Sequence, residues 1–541
     1  MSEAWDALVV GSGPNGLVAA NRLADAGWSV LVLEAQPTYG GAVRSDTEVH
    51  PGFVHDTFSA FYPLGVASPP LASLDLEQYG VVWEHAPAVL GHVFGDGGWA
   101  MLHRDRAVTA SLLDAGDGDA WLRLCDLWDR IGEDLVGALL APFPPVRSGA
   151  RLGARIARGG GLGTVRDLLT PAYDLAETRF GGRAARALLA GNAGHSDIPL
   201  HAPGSGLLGV LMTMLGQTVG FPAPRGGAGM LTEALVRRLR TRGGEVRCDS
   251  EVTRIVVEGG RAVAVRVGDH ELRATHAVVA DVTAPLLYGE LVPTDDLPSR
   301  VVRGMRGFQL DPATVKVDWA LDGPVPWAVT PPYAPGTVHV ATSFEAISEA
   351  LGQVASGLVP RDPFLLVGQM TTTDPTRSPA GTESLWAYTH VPQRVLGDAG
   401  AAGDHGVRGV WDREDCERFA DRMQAQLERV APDFASRILA RRILGPRELE
   451  ARDASLVGGS LGGGSSQLHQ QLVFRPVPGL GRAETGIGGL FLASSSAHPG
   501  GGVHGAAGMN AARAALGHAR LDAVRRPVAG LQVRSRRRSS R

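Results

Sequence analysis

The chain is poor in cysteine, in lysine and in long apolar runs, and each shortage removes a class of chemistry. Its three cysteines, Cys125, Cys248 and Cys416, stand far apart with no CxxC among them. That spacing excludes a disulfide framework, a cysteine zinc site and a dithiol redox centre, and it suits a reducing compartment. Of the 52 basic residues only Lys316 is a lysine, so lysine Schiff-base chemistry is not expected. The 56 acidic residues leave a net charge of −4. Nucleic-acid binders are usually strongly basic, so nucleic acid is not an expected partner. The longest apolar run, GLLGVLMTMLGQTVGF at 206–221, is short for a bilayer span and interrupted by Gln217 and glycines; it predicts a buried or membrane-touching helix. The opening MSEAWD runs straight into a strand without a signal-peptide pattern, which predicts a cytoplasmic location.

Glycine, by contrast, is abundant: 72 of 541 residues. At that density G-x-G-x-x-G arises roughly once by chance, and it occurs at Gly11/Gly13/Gly16, Gly204/Gly206/Gly209 and Gly500/Gly502/Gly505. Context separates the three. A dinucleotide fingerprint needs a buried strand before it, a helix opening after it, and an acidic residue about 20 positions on for the ribose. GSGPNG meets all three: ALVV precedes it, LVAANRLADA at 17–26 follows, and Glu34 closes a second apolar strand at 29–33. Gly11, Ser12, Gly13, Pro14, Asn15 and Gly16 are therefore candidate pyrophosphate contacts, with Glu34 and Ala35 at the ribose. GSGLLG follows HAP with no strand and reads as helix packing. PGGGVHG follows a strand and opens a helix but lacks the acidic residue, so something other than a ribose is expected there. Glu34 would repel a 2′-phosphate and selects NAD or FAD. Gly40-Gly41 and Arg44, just beyond it, allow a second approach to a pyrophosphate and favour the longer FAD.

DALVVGSGPNGLVAANRLADAGWSVLVLEAQPTYGGAVRS, PRGGAGMLTEAL and GLFLASSSAHPGGGVHGAAGMNAARAAL, in this order, resemble the phytoene desaturase-related FAD oxidoreductases, within them the pyridine nucleotide-disulfide oxidoreductase domain-containing protein 2 subgroup. The resemblance implies an α/β fold with a Rossmann-like FAD-binding domain of glutathione reductase type, discontinuous over 1–70, 222–285 and 443–520. A mixed α+β substrate domain would occupy 71–221 and 286–442, and 521–541 would be a basic, disordered tail. It also implies that Val252 holds the adenine by its backbone and that Gly501, Gly502 and Val503 sit beside the flavin ring. A helix N-terminus there would stabilise negative charge on the reduced flavin. Ser494, Ser496 and Ala497 depart from the residues relatives often carry.

The implied activity is hydride removal from an apolar, isoprenoid or lipid-like substrate to flavin N5. Oxygen, a quinone or another acceptor would restore the oxidised cofactor. No residue declares itself as proton acceptor. His498 and His504, flanking the glycine turn, are the catalytic candidates, and Asp56 either lines the pocket or caps a helix. No metal site is expected. Arg147, Arg151, Arg155 and Arg158 recur at helical spacing and predict one basic face in 147–158, suited to peripheral contact with the inner face of a membrane. The competing functions are a flavin amine oxidase, a redox-neutral flavin isomerase and a flavin-free prenyl carrier.

Overall fold

The computed structural model describes residues 3–400 and 406–538, with backbone only for 525–538. Ala4–Val10 forms the first strand, its last four apolar residues enclosed. Gly11 turns the chain at φ +91°, a region that side chains rarely enter. Pro14, whose fixed φ suits a first helical turn, then opens the helix Pro14–Ala24. Val30–Leu33 returns parallel to the first strand, so the βαβ unit read from the sequence is present.

Five parallel strands follow the order Leu490–Leu492, His270–Ala280, Ala4–Val10, Val30–Leu33, Glu245–Arg247. Val252–Glu258 and Arg261–Val267 form an antiparallel meander with the start of His270–Ala280. Its turns fall at Gly259-Gly260 and Gly268-Asp269, where the glycine pairs predict them. The strand His270–Ala280 thus has two roles: its first residues pair with the meander and its last with Leu490–Leu492.

A second, mixed sheet runs in the order Ile438–Leu444, Ala313–Leu321, Glu383–Val391, Leu365–Gln369, Pro335–Val340, Ala88–Val93, Trp99–Leu102. The last two strands come from the 71–221 segment and join it to the sheet formed by 313–444. Ala88–Val93 is buried on both faces, so its apolar residues run on without the alternation that marks a half-exposed strand. The helices Asp117–Leu140, Arg183–Gly194 and Ser205–Thr218 supply residues to the core beside it. The 206–221 run becomes the largely buried helix Ser205–Thr218, and no helix among the described residues is long and apolar enough to cross a membrane. The glycines of GSGLLG serve packing: a Cβ on Gly209 would lie 2.9 Å from that of Ala193, and one on Gly206 would strike the Thr170 carbonyl.

Buried charge ties the second sheet to the segment 46–56 that follows the dinucleotide unit. Arg377 lies 2.9 Å from Asp56 and 3.0 Å from Asp374, all three fully buried. Asp56 also accepts from the Ala228 N–H at 2.7 Å, next to the start of the helix Gly229–Thr241; of its two expected roles the capping one is realised, and it does not line the main cleft. Lys316 pairs with Asp318 and donates to the Asp56 carbonyl at 2.9 Å, and Arg442 bridges Asp318 and Asp46 at 2.7 and 2.8 Å.

The helix Ala506–Arg538 runs into the segment expected as a basic tail from 521; 539–541 lie outside the described residues. The helix Val146–Gly159 does carry Arg147, Arg151, Arg155 and Arg158 on its surface, but Arg151 lies 3.3 Å from Asp134 and Arg155 pairs with the same carboxylate. The basic face is therefore partly neutralised from within.

Candidate functional site

One cleft of about 590 Å³ lies between the two sheets and receives residues from both. At one end are Gly11, Ser12, Gly13, Pro14 and Asn15, then Glu34, Ala35, Gly41 and Arg44, with Val252 beside them; Gly501, Gly502 and Val503 also line it. Gly16 and Gly40, expected as contacts, stand behind the lining. The Gly16 N–H donates to Asp281 at 2.7 Å and the Gly40 N–H to Ser12 Oγ at 3.1 Å. Their glycine identity is still required: a Cβ on Gly16 would lie 2.5 Å from the Gly11 carbonyl oxygen, and one on Gly40 2.7 Å from the Val43 carbonyl oxygen.

The residues present fit a dinucleotide. Glu34 Oε2 accepts from the Ser12 N–H at 3.0 Å and the Ser12 hydroxyl at 2.5 Å, and Oε1 accepts from the Gln36 N–H at 2.9 Å. These bonds fix the carboxylate while leaving lone pairs for further donors. Arg44 donates from Nη2 to the Arg452 carbonyl at 2.6 Å, yet its buried Nε has no partner, and neither has Asn15 Oδ1. Buried polar groups are normally satisfied, so these orphans beside the glycine turn call for a polar ligand. Asp281, also on the cleft, is held up to about 7 chiefly by burial, with Asp453 and Glu34 adding to the rise and the Gly16 N–H opposing it. A carboxyl that is largely neutral below that value can sit beside phosphates that a carboxylate would repel.

His498 and His504 do not line the cleft. The Ala506 N–H donates to His504 Nδ1 at 3.0 Å at the start of the last helix, and burial lowers this imidazole to about 4. His498 Nε2 lies 2.9 Å from the Ala141 carbonyl, and burial lowers this ring as well. Both rings are buried, and these two expected candidates stand outside the cleft lining.

The polar groups that do face the cleft come from the second sheet. Side chains alternate along a strand, so Trp386, Tyr388 and His390 share one face of Glu383–Val391. Cross-strand register sets Thr314 opposite His390 and Lys316 opposite Tyr388. Behind that face Leu385 and Ala387 join the core. Asp197 reaches the same wall from just beyond the helix Arg183–Gly194, with its backbone at φ +62°, a region that Asp enters more readily than most residues. His390 Nε2 stands 2.7 Å from Asp197 Oδ1, and its Nδ1 lies 3.5 Å from Thr314 Oγ1. His195, on the cleft, lies 2.9 Å from His339 between the Nε2 atoms, and burial lowers His195 to about 3. Phe61, Leu208, Leu211, Met212 and Phe221 make the apolar remainder.

Residues 9–73 match the family model of NAD(P)-binding Rossmann-like domains, and 128–328 that of flavin containing amine oxidoreductases. The chain is 28% identical to pyridine nucleotide-disulfide oxidoreductase domain-containing protein 2 of Mus musculus, covering 94% of this chain and 92% of that protein. It is 27% identical to the phytoene dehydrogenase of Streptomyces griseus over 78% of each chain. A solved putrescine oxidase, 17% identical, aligns over 96% of this chain and 99% of its own with a TM-score of 0.59, a likeness of fold. The cofactor is FAD, and the chain is similar to pyridine nucleotide-disulfide oxidoreductase domain-containing protein 2 and to phytoene desaturases.

Proposed function

We propose that the protein is an FAD-dependent desaturase or dehydrogenase that removes hydride from an apolar, isoprenoid or lipid-like substrate to flavin N5. The observation that carries this reading is a continuous cleft with a dinucleotide turn at one end and apolar residues at the other. The parallel strand order supports a glutathione reductase-type dinucleotide domain assembled from 1–70, 222–285 and 443–520, with 71–221 and 286–442 forming the substrate domain. When bound, FAD supplies a two-electron acceptor. The chain's own residues do the rest: Glu34 binds the ribose, Gly11 to Asn15 and Arg44 receive the pyrophosphate, and Val252 borders the adenine. Gly501, Gly502 and Val503, just before the helix Ala506–Arg538, bring a positive helix end toward the ring, which favours negative charge there. The apolar wall formed by Phe61, Leu208, Met212 and Phe221 excludes water from the substrate.

The family match and the Trp386–Tyr388 pair, whose ring centroids stack at 5.9 Å on the cleft wall, favour amine oxidation as the second reading, because aromatic faces attract cations. The test is to purify the protein, measure flavin absorbance and follow anaerobic bleaching with isoprenoids and with amines. A colourless protein that takes up no FAD would overturn the proposal, and bleaching by amines alone would select the second reading. A cytoplasmic protein collecting such a substrate needs a lipid-facing surface. The helices Val146–Gly159 and Gly161–Leu169 offer one, with Val146 73% and Leu162 86% exposed beside Arg147 and Arg158.

A further inference from the structure

His195 is the first residue past the helix Arg183–Gly194, and its ring is fixed from behind. Its Nε2 lies 2.9 Å from Nε2 of His339, a fully buried residue of the strand Pro335–Val340. Gly191, one turn before His195, makes that contact possible: a Cβ there would strike His339 Nδ1. Glycine weakens a helix interior, so the helix gives up stability to admit this ring. Two imidazoles joined through Nε2 need one donor and one acceptor. His339 Nδ1 has no partner, and a buried N–H without an acceptor is rarer than a buried acceptor without a donor. The shared proton therefore belongs to His339, and His195 carries its own on Nδ1. That nitrogen has no partner among the described residues and is not enclosed, and the surface His195 borders is the cleft.

Tyr388 meets the same space from the second sheet. Its ring is partly exposed on the cleft wall, and its hydroxyl likewise has no partner among the described residues. The two groups are neighbours: His390 has its ring centroid 5.5 Å from that of Tyr388 and stands close enough to His195 to oppose charge on it. We propose that His195, through its imidazole N–H, and Tyr388, through its phenol O–H, together hold a carbonyl oxygen of the substrate, which is thus a carbonyl-bearing lipid or isoprenoid rather than a bare hydrocarbon. The assignment rests on the flavin oxidoreductase reading above and names the substrate's polar feature.

Both rings stay uncharged. Burial, with the charge of His390 adding to it, lowers His195 to about 3. Burial also raises Tyr388 well above the ordinary tyrosine value, with Asp197 adding to the rise. The other polar groups nearby already have partners: Asp197 pairs with His390 at 2.7 Å, and Ser196 Oγ donates to the Ala193 carbonyl at 2.6 Å. Burial opposes charge on His390, but the Asp197 carboxylate prevails and raises it, so the pair brings no net charge to the wall. What His195 and Tyr388 offer is therefore a neutral pair of donors. A carbonyl oxygen has two lone pairs and accepts from both. An ammonium has no lone pair to give them, and a hydrocarbon would bury both donors unpaired, which costs binding.

The test uses the full-length flavin-loaded protein, Tyr388→Phe, His195→Leu and His195→Asn, with methyl ketones, protonated primary amines and n-alkanes of equal chain length. Binding is read from the shift of the flavin spectrum. The His195 tautomer is read by NMR of isotope-labelled histidine, the signal being identified by its loss in His195→Asn. The ketone should bind at least about tenfold tighter than the alkane or the amine, and His195 should carry its proton on Nδ1. Tyr388→Phe and His195→Leu should each weaken the ketone about three- to tenfold, as expected for one neutral hydrogen bond, and leave the alkane unchanged. His195→Asn keeps an N–H at the place of Nδ1 and should hold the ketone within about twofold of wild type. A purely structural His195 would instead weaken every probe alike in both of its variants. Should His195→Leu fail to hold flavin, the wild-type tautomer and the ketone affinity of Tyr388→Phe decide. Wild-type preference for the amine or the alkane, a proton on Nε2, unchanged ketone binding in Tyr388→Phe or His195→Leu, or equal losses in the two His195 variants would overturn the inference and leave the flavin reading standing. Absence of flavin from the wild-type protein would overturn the reading itself.

Discussion

The two ends of the cleft are built in opposite ways. The dinucleotide end is a contiguous stretch: strand, glycine turn, helix and second strand follow one another from Ala4 to Leu33, and Glu34 comes next. The substrate wall is assembled from Asp197 after a helix, Thr314 and Lys316 on one strand, and Tyr388 and His390 on another. Local geometry governs the first and long-range register the second, so the two should fail differently when altered.

The largest effect is expected where the wall is anchored. Arg377→Met leaves Asp56 and Asp374 buried without their cation, which should cost about 3–5 kcal/mol of stability and lower the melting temperature in calorimetry, without any contact to the cofactor being removed. Gly11→Val should break the other end: a Cβ there would lie 2.6 Å from the Asp281 carbonyl oxygen, and the protein should purify with little flavin, read by absorbance. Glu34→Ala should be milder, weakening FAD about 10- to 100-fold, as expected for losing charge-assisted hydrogen bonds of about 1.5–3 kcal/mol; calorimetric titration with FAD measures it.

The smallest effect concerns pH. Asp281 is held up to about 7, mainly by burial, above the ordinary value of about 3.9. The folded state therefore holds this proton more tightly than the unfolded one. Its contribution to stability is full below about pH 4 and is lost as pH rises toward 7. Ionisation also sets a negative charge beside the pyrophosphate, so FAD affinity should fall a few-fold as pH rises through 7. Asp281→Asn, which keeps an oxygen for the Gly16 N–H, should flatten that dependence; an unchanged pH profile would remove Asp281 from the cofactor's surroundings.

The candidate site was legible in the sequence only where its signals were local. The strand before GSGPNG, the helix after it and Glu34 beyond it were readable because each is set by nearest neighbours. The same reasoning offered His498 and His504 as candidates, and neither lines the cleft, because proximity in sequence to a flavin motif says nothing about which way a side chain points after a glycine turn. It passed over Asp197, His339 and His390. The available signal was a polar residue inside an apolar strand, as in LWAYTHV and TVHV, or after a helix in GHSD, and a lone histidine in such a place is as often packed as functional. Lys316 was noted for its rarity and read as excluding one chemistry; its place two residues before Asp318 in VKVDWAL, on one strand face, was the sign of a buried ion pair.

By itself the sequence determined the cofactor end, because a pyrophosphate turn needs a particular backbone path within a few dozen residues, and the glycines and the acidic residue that permit it are consecutive. Only the tertiary structure decided what faces the other end of the cleft. That wall exists because cross-strand register places Thr314 and Lys316 opposite His390 and Tyr388, and because Asp197 is held in a left-handed turn beside them. Neither fact has a local signature, since both are consequences of how the second sheet and the helices over it pack.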